Sequence, residues 1–125
     1  MEKILIDTDV VIDFLRGHQP RIKSFFSDIE RKRIYGYLSV ISLTELYEGI
    51  DDEEKEQVLI KLISYFQLIP VDKNISLLAG KLKRLQYLSL ADSLIAATCI
   101  DQNLSLFTFN KKHYQAIPNF KLYSV

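Results

Sequence analysis

With 125 residues, 48% of them hydrophobic, the chain has enough apolar surface for one well-packed domain over residues 1–125 and too little length for two. Its 16 basic and 16 acidic residues cancel, which excludes a global positive field as the grip on nucleic acid and leaves only local patches. A single cysteine, Cys99, excludes a disulfide framework, and no apolar run reaches the roughly 18 to 20 residues of a membrane span; the expectation is a reducing compartment, the cytoplasm, and no membrane partner.

In chain order, "KILI" predicts a short buried strand that feeds directly into a helix over "DTDVVIDFLRG", with Val10, Val11, Phe14 and Leu15 apolar and a stop at Gly17. Pro20 opens a second helix, "QPRIKSFFSDIERKR", whose Ile22, Phe25, Phe26 and Ile29 share one face. "IYGYLSV" is aromatic and β-branched enough for a second strand, and "SLTELYEGI" follows as a short helix. "DEEKEQVLIKLISYF" is amphipathic through Val58, Leu59, Leu62, Ile63 and Phe66, and "LIPV" is a third strand. "KNISLLAGKLKRLQ" and "SLADSLIAATCIDQN" are helices, "LSLFTF" a fourth strand, "NKKHYQAI" a turn of helix, and "FKLYSV" a fifth strand at an edge. Strands alternating with helices predict an α/β fold, a parallel sheet covered on both faces.

Ligands of such sheets bind at the carboxyl ends of the strands, and Asp7 is the first residue after strand one. Glu45 opens the helix after strand two, and Asp92 opens the helix before strand four. Taken singly, each has a plainer explanation. Ser42-Leu-Thr-Glu45 and Ser89-Leu-Ala-Asp92 both match the S-x-x-[DE] capping box, and Asp7 suits an N-cap. Capping does not explain why three helix starts, each led by an acid, converge on one edge. Gathered carboxylates raise one another's pKa unless they share protons or bind a cation. Hard oxygen donors without His or Cys suit Mg²⁺, with Mn²⁺ as a substitute, and such a site can activate water against a phosphodiester.

The blocks "DTDVVIDFLRG", "SVISLTELYEG", "ADSLIAATC" and "LSLFTFNKKHYQAI", in this order and over almost the whole chain, resemble the PIN-domain ribonucleases, specifically the VapC toxins of toxin–antitoxin pairs. The resemblance implies a three-layer α/β/α sandwich with strand order 3-2-1-4-5 and a Mg²⁺-dependent endoribonuclease. It places the family's acids on Asp7, Glu45 and Asp92, as catalytic residues and metal ligands. Asp9 stands where a site-ordering Asn or Ser is common, and Thr108 and Asn110 match a T-x-N block. The family often has a fourth acid in an N-x-x-D-F block; here "NKKHY" puts His113 there, either as a late ligand or proton carrier or as an ordinary surface histidine. The resemblance further implies an RNA substrate, a small antitoxin that covers the groove, and a homodimer.

Arg16, Lys111 and Lys112 are candidate RNA-phosphate contacts, the lysines because they follow the site asparagine. The tyrosines, Tyr114 among them, are read as core or interface residues. Two rival functions remain. One is a PIN-like fold that has lost catalysis and only binds RNA or protein. The other is a haloacid-dehalogenase-like phosphatase, whose D-x-D opening "DTDVV" also fits, with Asp7 as nucleophile. A receiver-like signalling domain would need an acid pair and a late lysine.

Overall fold

Ile4, Leu5 and Ile6 are wholly inaccessible to water, so successive side chains of this strand enter two different cores, as in a parallel strand covered on both faces. This strand is β1 (Lys3–Ile6). The computed structural model describes residues 1–17, 19–85 and 87–125. After β1 come α1 (Thr8–Arg16), α2 (Pro20–Glu30), β2 (Tyr35–Ser39), α3 (Val40–Glu48) and α4 (Glu53–Ile63). They are followed by β3 (Gln67–Ile69), α5 (Lys73–Leu85), α6 (Leu90–Gln102) and β4 (Ser105–Phe107), then one turn of 3-10 helix over Lys111–His113. The strands lie in the order β3-β2-β1-β4 and every pairing is parallel. This is the expected α/β/α sandwich.

One core joins Ile4 and Ile6 to Val10, Phe25, Phe26 and Leu59, so that α1, α2 and α4 cover that face. The other joins Leu5 and Leu106 to Ile75, Ala79, Ile95 and Cys99, under α5 and α6. Cys99 is buried, and burial pushes its thiol well above the usual range, which makes it a packing residue. Gly36 lets α2 and Phe66 approach β2 closely. A Cβ there would lie 2.8 Å from a ring carbon of Phe66 and 2.9 Å from Cγ2 of Ile29.

The helix boundaries follow local chemistry. Gly17 ends α1 at φ 72°, donating its N–H to the carbonyls of Asp13 and Phe14. Pro20 starts α2 without costing a hydrogen bond. Ser89 caps α6 by accepting from the Asp92 N–H, and Asn103 ends that helix in the left-handed region.

Three expectations are corrected. "FKLYSV" adds only a single parallel bridge, Leu122 beside Leu106, because Pro118 and the left-handed Asn119 (φ 60°) keep the chain turning until Phe120. Leu15 and Val58 face outward, 42% and 54% exposed, although both fit an apolar face. Glu45 does not open α3: β2 runs straight into that helix, Ser39 is its N-cap, and Glu45 lies in the second turn. The last residue of the predicted helix "KNISLLAGKLKRLQ", Gln86, lies outside the described residues. Among the described residues no helix is long and apolar enough to cross a membrane.

The order 3-2-1-4 is not the 2-1-3-4-5 of receiver-type folds. Because α1 begins at Thr8, no loop or flap follows Asp7 as the phosphatase reading requires. The consecutive aspartates Asp51-Asp52 lie just before α4, not after a strand.

Candidate functional site

Asp7 sits at the carboxyl end of β1, 9% exposed. Its N–H still donates to the sheet, to Phe107 O at 2.9 Å, while its side chain already caps α1, Oδ1 accepting from the Thr8 N–H at 2.9 Å. The capping reading is therefore correct and incomplete. Oδ2 points across to β4 and accepts from the Thr108 hydroxyl at 2.8 Å. Burial pushes the Asp7 carboxyl above the usual range against the hydrogen bonds from Thr108 and Thr8, and the charges of Asp92 and Glu45 push it further. That coupling is the electrostatic sign that the three acids share one neighbourhood.

Thr108 and Asn110 form a relay after β4. The Asn110 N–H donates to the Thr108 hydroxyl at 3.1 Å, which leaves that hydroxyl's proton for Asp7. Asp9, on the first turn of α1, holds the same loop through Oδ2, which accepts from the Phe109 N–H at 3.1 Å and from Asn110 Nδ2 at 3.2 Å. Its other oxygen, Oδ1, is buried without a partner. Burial first, then the Asp7 charge, raises the Asp9 carboxyl to about 6.

Asp92 lies in the first turn of α6. Its Oδ2 meets His113 Nδ1 at 2.9 Å, so the 3-10 turn brings His113 to the acids. Its Oδ1 accepts from the Tyr114 hydroxyl at 3.1 Å, and the same hydroxyl lies 3.4 Å from Asp7 Oδ2. Glu45 reaches the group from α3: its Oε1 accepts from the Thr8 hydroxyl at 2.6 Å.

Asp7, Glu45, Asp92, Asp9, Thr108, Asn110 and His113 thus meet at one edge of the sheet. Among the described residues no three acids, histidines or cysteines close tightly enough to enclose a metal ion. Neutral groups stand between the acids, Thr8 between Asp7 and Glu45 and the Tyr114 hydroxyl between Asp7 and Asp92.

The basic candidates are not drawn in. Arg16 ends α1, roughly 12 Å along the axis from Thr8 at 1.5 Å per residue. Lys111 directs its amine to the Ser124 hydroxyl, and Lys112 is solvent-exposed.

Two site residues escape a reading by residue type, Thr8 and Tyr114. Thr8 is hidden between two acids as an ordinary helix starter. The signal for Tyr114 is that a tyrosine occupies the last position of a block that commonly ends in phenylalanine: a hydroxyl on a core ring needs a partner.

The PIN domain profile matches residues 4–117. Ribonuclease VapC1 of Methanocaldococcus jannaschii is 31% identical over 125 residues, covering 96% of this chain and 85% of that protein. Ribonuclease VapC10 of Mycobacterium tuberculosis is 34% identical over 124 residues, covering 94% and 90%. Among solved structures, a toxin–antitoxin complex from Klebsiella pneumoniae superposes with a TM-score of 0.80 at 25% identity, covering 98% of this chain and 99% of the other. VapBC2 from Rickettsia felis, bound to a DNA fragment from its promoter, shares the fold with a TM-score of 0.84 at 22% identity, covering 97% of both. With its strand order and a match that takes in Asp7, Glu45, Asp92 and the T-x-N block alike, the chain is a VapC-like member of the PIN domain family.

Proposed function

We propose that this chain is a divalent-cation-dependent endoribonuclease, the toxin of a toxin–antitoxin module. The observation that carries the reading is Asp7, a buried carboxylate at the strand end whose pKa is raised by burial and by two neighbouring acids. Such a group is costly to keep charged unless a cation shares the site. The donor set fits Mg²⁺ or Mn²⁺: the acids supply hard oxygens, and the buried, unpartnered Oδ1 of Asp9 leaves a further acceptor unused.

Asp7, Glu45 and Asp92 would hold the ion. When bound, it supplies Lewis-acid polarisation of the phosphodiester and a lowered pKa for the attacking water. The remaining residues position these acids. Thr108 and Thr8 orient Asp7, Thr8 also anchors Glu45, and His113 fixes Asp92. Asp9 and Asn110 keep the loop after β4 against α1. The lysines and Arg16 are left as phosphate contacts at a distance, acting on RNA outside the reacting bond.

The antitoxin reading is supported by toxin–antitoxin complexes among the structural relatives. It is also supported by an open groove of about 340 Å³ that Phe14, Leu15, Phe26, Val58, Leu62 and Tyr65 line between α1, α2 and α4. For a homodimer the support is the exposed Leu77, Leu85 and Leu90 around α5 and the start of α6.

RNA cleavage assayed in EDTA and then with added cations tests the function. Cleavage should be absent in EDTA and return with Mg²⁺ or Mn²⁺. Ca²⁺ should support little, since its larger, looser coordination misplaces the water. Equal cleavage in EDTA contradicts the metal mechanism, and cleavage by none of the ions favours the domain that only binds RNA or protein.

A further inference from the structure

We propose that Tyr114 is a positioning residue, its hydroxyl tying Asp7 to Asp92 and presetting the two carboxylates for a divalent cation. The assignment rests on the nuclease reading above. Asp7 and Asp92 arrive from different elements, the end of β1 and the first turn of α6. Tyr114 is the side chain whose hydroxyl meets both, at 3.4 Å to Asp7 Oδ2 and 3.1 Å to Asp92 Oδ1.

The ring has no freedom to do otherwise. Tyr114 is 0% exposed, and its ring stacks on Phe120 with centroids 5.5 Å apart and planes 11° off parallel. It belongs to the core beneath α5 and α6. Burial and the two carboxylates keep the phenol protonated, so between these anions it acts as a donor.

The bond also divides the oxygens between structure and chemistry. Asp7 Oδ2 accepts from Thr108 at 2.8 Å, and the Tyr114 hydroxyl, whose single proton goes to the nearer Asp92 Oδ1, stands 3.4 Å away and closes off that side. Oδ1 receives only the Thr8 N–H and keeps an open lone pair. On Asp92, Oδ1 receives Tyr114 and Oδ2 meets His113, which leaves each oxygen one more site. A donor that engages the structural side of an acid while leaving acceptor capacity open is what positions a metal-ligating carboxylate, and removing such a partner typically costs about 10- to 100-fold in metal affinity or activity.

Tyr114→Phe in the full chain tests this, because it keeps the ring and its stacking and removes only the hydroxyl. Mn²⁺ binding is read from the loss of the free-ion electron paramagnetic resonance signal, and cleavage from kcat and KM on RNA. The variant should melt in EDTA within a few degrees of the parent and bind Mn²⁺ about tenfold more weakly. It should lose a similar factor in kcat, with KM changed less than about twofold. Mn²⁺ affinity equal to the parent's overturns the assignment, since a purely structural ring predicts that result. A parent that takes up no Mn²⁺ overturns the nuclease reading and this assignment with it. A measurement on the unaltered chain stands even if the variant fails to fold. On Mg²⁺ saturation the ring Cζ carbon resonance of Tyr114 should shift, while that of Tyr35, at the opposite end of the sheet, should not. An unmoved Tyr114 resonance in protein that binds the ion overturns the assignment.

Discussion

The Thr8 hydroxyl donates to Glu45 Oε1 at 2.6 Å, so the residue that follows one acid holds another, and the first turn of α1 is tied to the second turn of α3. Glu45 is itself solvent-exposed. Without that bond its carboxylate would sample the rotamers of any surface glutamate. Thr8→Val, which keeps the shape and removes the donor, is expected to lower RNA cleavage about tenfold through misplacement of Glu45. The melting temperature in EDTA should fall by only a few degrees, since one hydrogen bond to a solvated acid contributes about 1 kcal/mol. Cleavage at the parent rate would show that Glu45 needs no anchor.

Gly36 separates stability from activity. A methyl group at this position would overlap the Phe66 ring at 2.8 Å and Ile29 at 2.9 Å, and an aromatic ring in a packed core has little room to retreat. Gly36→Ala is expected to cost about 1–3 kcal/mol, seen as a lower denaturation midpoint at unchanged slope. The fraction that remains folded should cleave RNA as the parent does. An unchanged midpoint would mean that the α2–β2–Phe66 packing is looser than these distances imply.

The acids also set a pH dependence in the metal-free protein. The Asp9 carboxyl is raised from 3.8 to about 6, by burial and then by Asp7, and Asp7 is raised too. Between those pH values the native state keeps protons that the unfolded chain has released. Stability therefore falls as pH rises through that window and is recovered on acidification. Melting in EDTA should occur at a higher temperature at pH 5 than at pH 7, and Asp9→Asn, which cannot titrate, should flatten part of that slope. Identical slopes in the two chains would contradict the burial argument.

Periodicity and punctuation were enough for the elements that bury a face. "KILI" has no polar position after Lys3, Gly17 stops one helix and Pro20 starts the next, and the alternation of strands with helices leaves a parallel sheet as the consistent arrangement. They were not enough where hydrogen bonding decides. Ser39 and Ser42 stand three residues apart and either can cap a helix; the strand ladder ends at Ser39, so that one caps α3 and Glu45 moves inward. The apolar residues of "FKLYSV" fit a strand, yet Pro118 and Asn119 spend the approach on a turn. At the site, Asp7 was visible because a buried strand end is where charge is expensive, and Asp92 because it sits in the first turn of a helix. Thr8 and Tyr114 were not, because a threonine in a first turn and a tyrosine among core residues carry no pattern of their own. What singles them out is the partner each meets, Glu45 for Thr8 and Asp92 for Tyr114.

Whether Asp7, Glu45 and Asp92 act as cation ligands is tested most directly by measuring Mn²⁺-induced stabilisation and RNA cleavage together in Asp7→Asn, Glu45→Gln and Asp92→Asn. Asparagine caps a helix about as well as aspartate, so Asp7→Asn keeps the start of α1 and loses the charge. In EDTA each variant should melt within a few degrees of the parent or slightly above it, because one of several crowded like charges is gone. With Mn²⁺ the rise in melting temperature that the parent shows through binding to the native state should shrink in each, and cleavage should fall by about 10²-fold or more. Variants that keep both the Mn²⁺-induced rise and the cleavage rate would contradict cation binding by these acids, leaving Asp7 a helix cap.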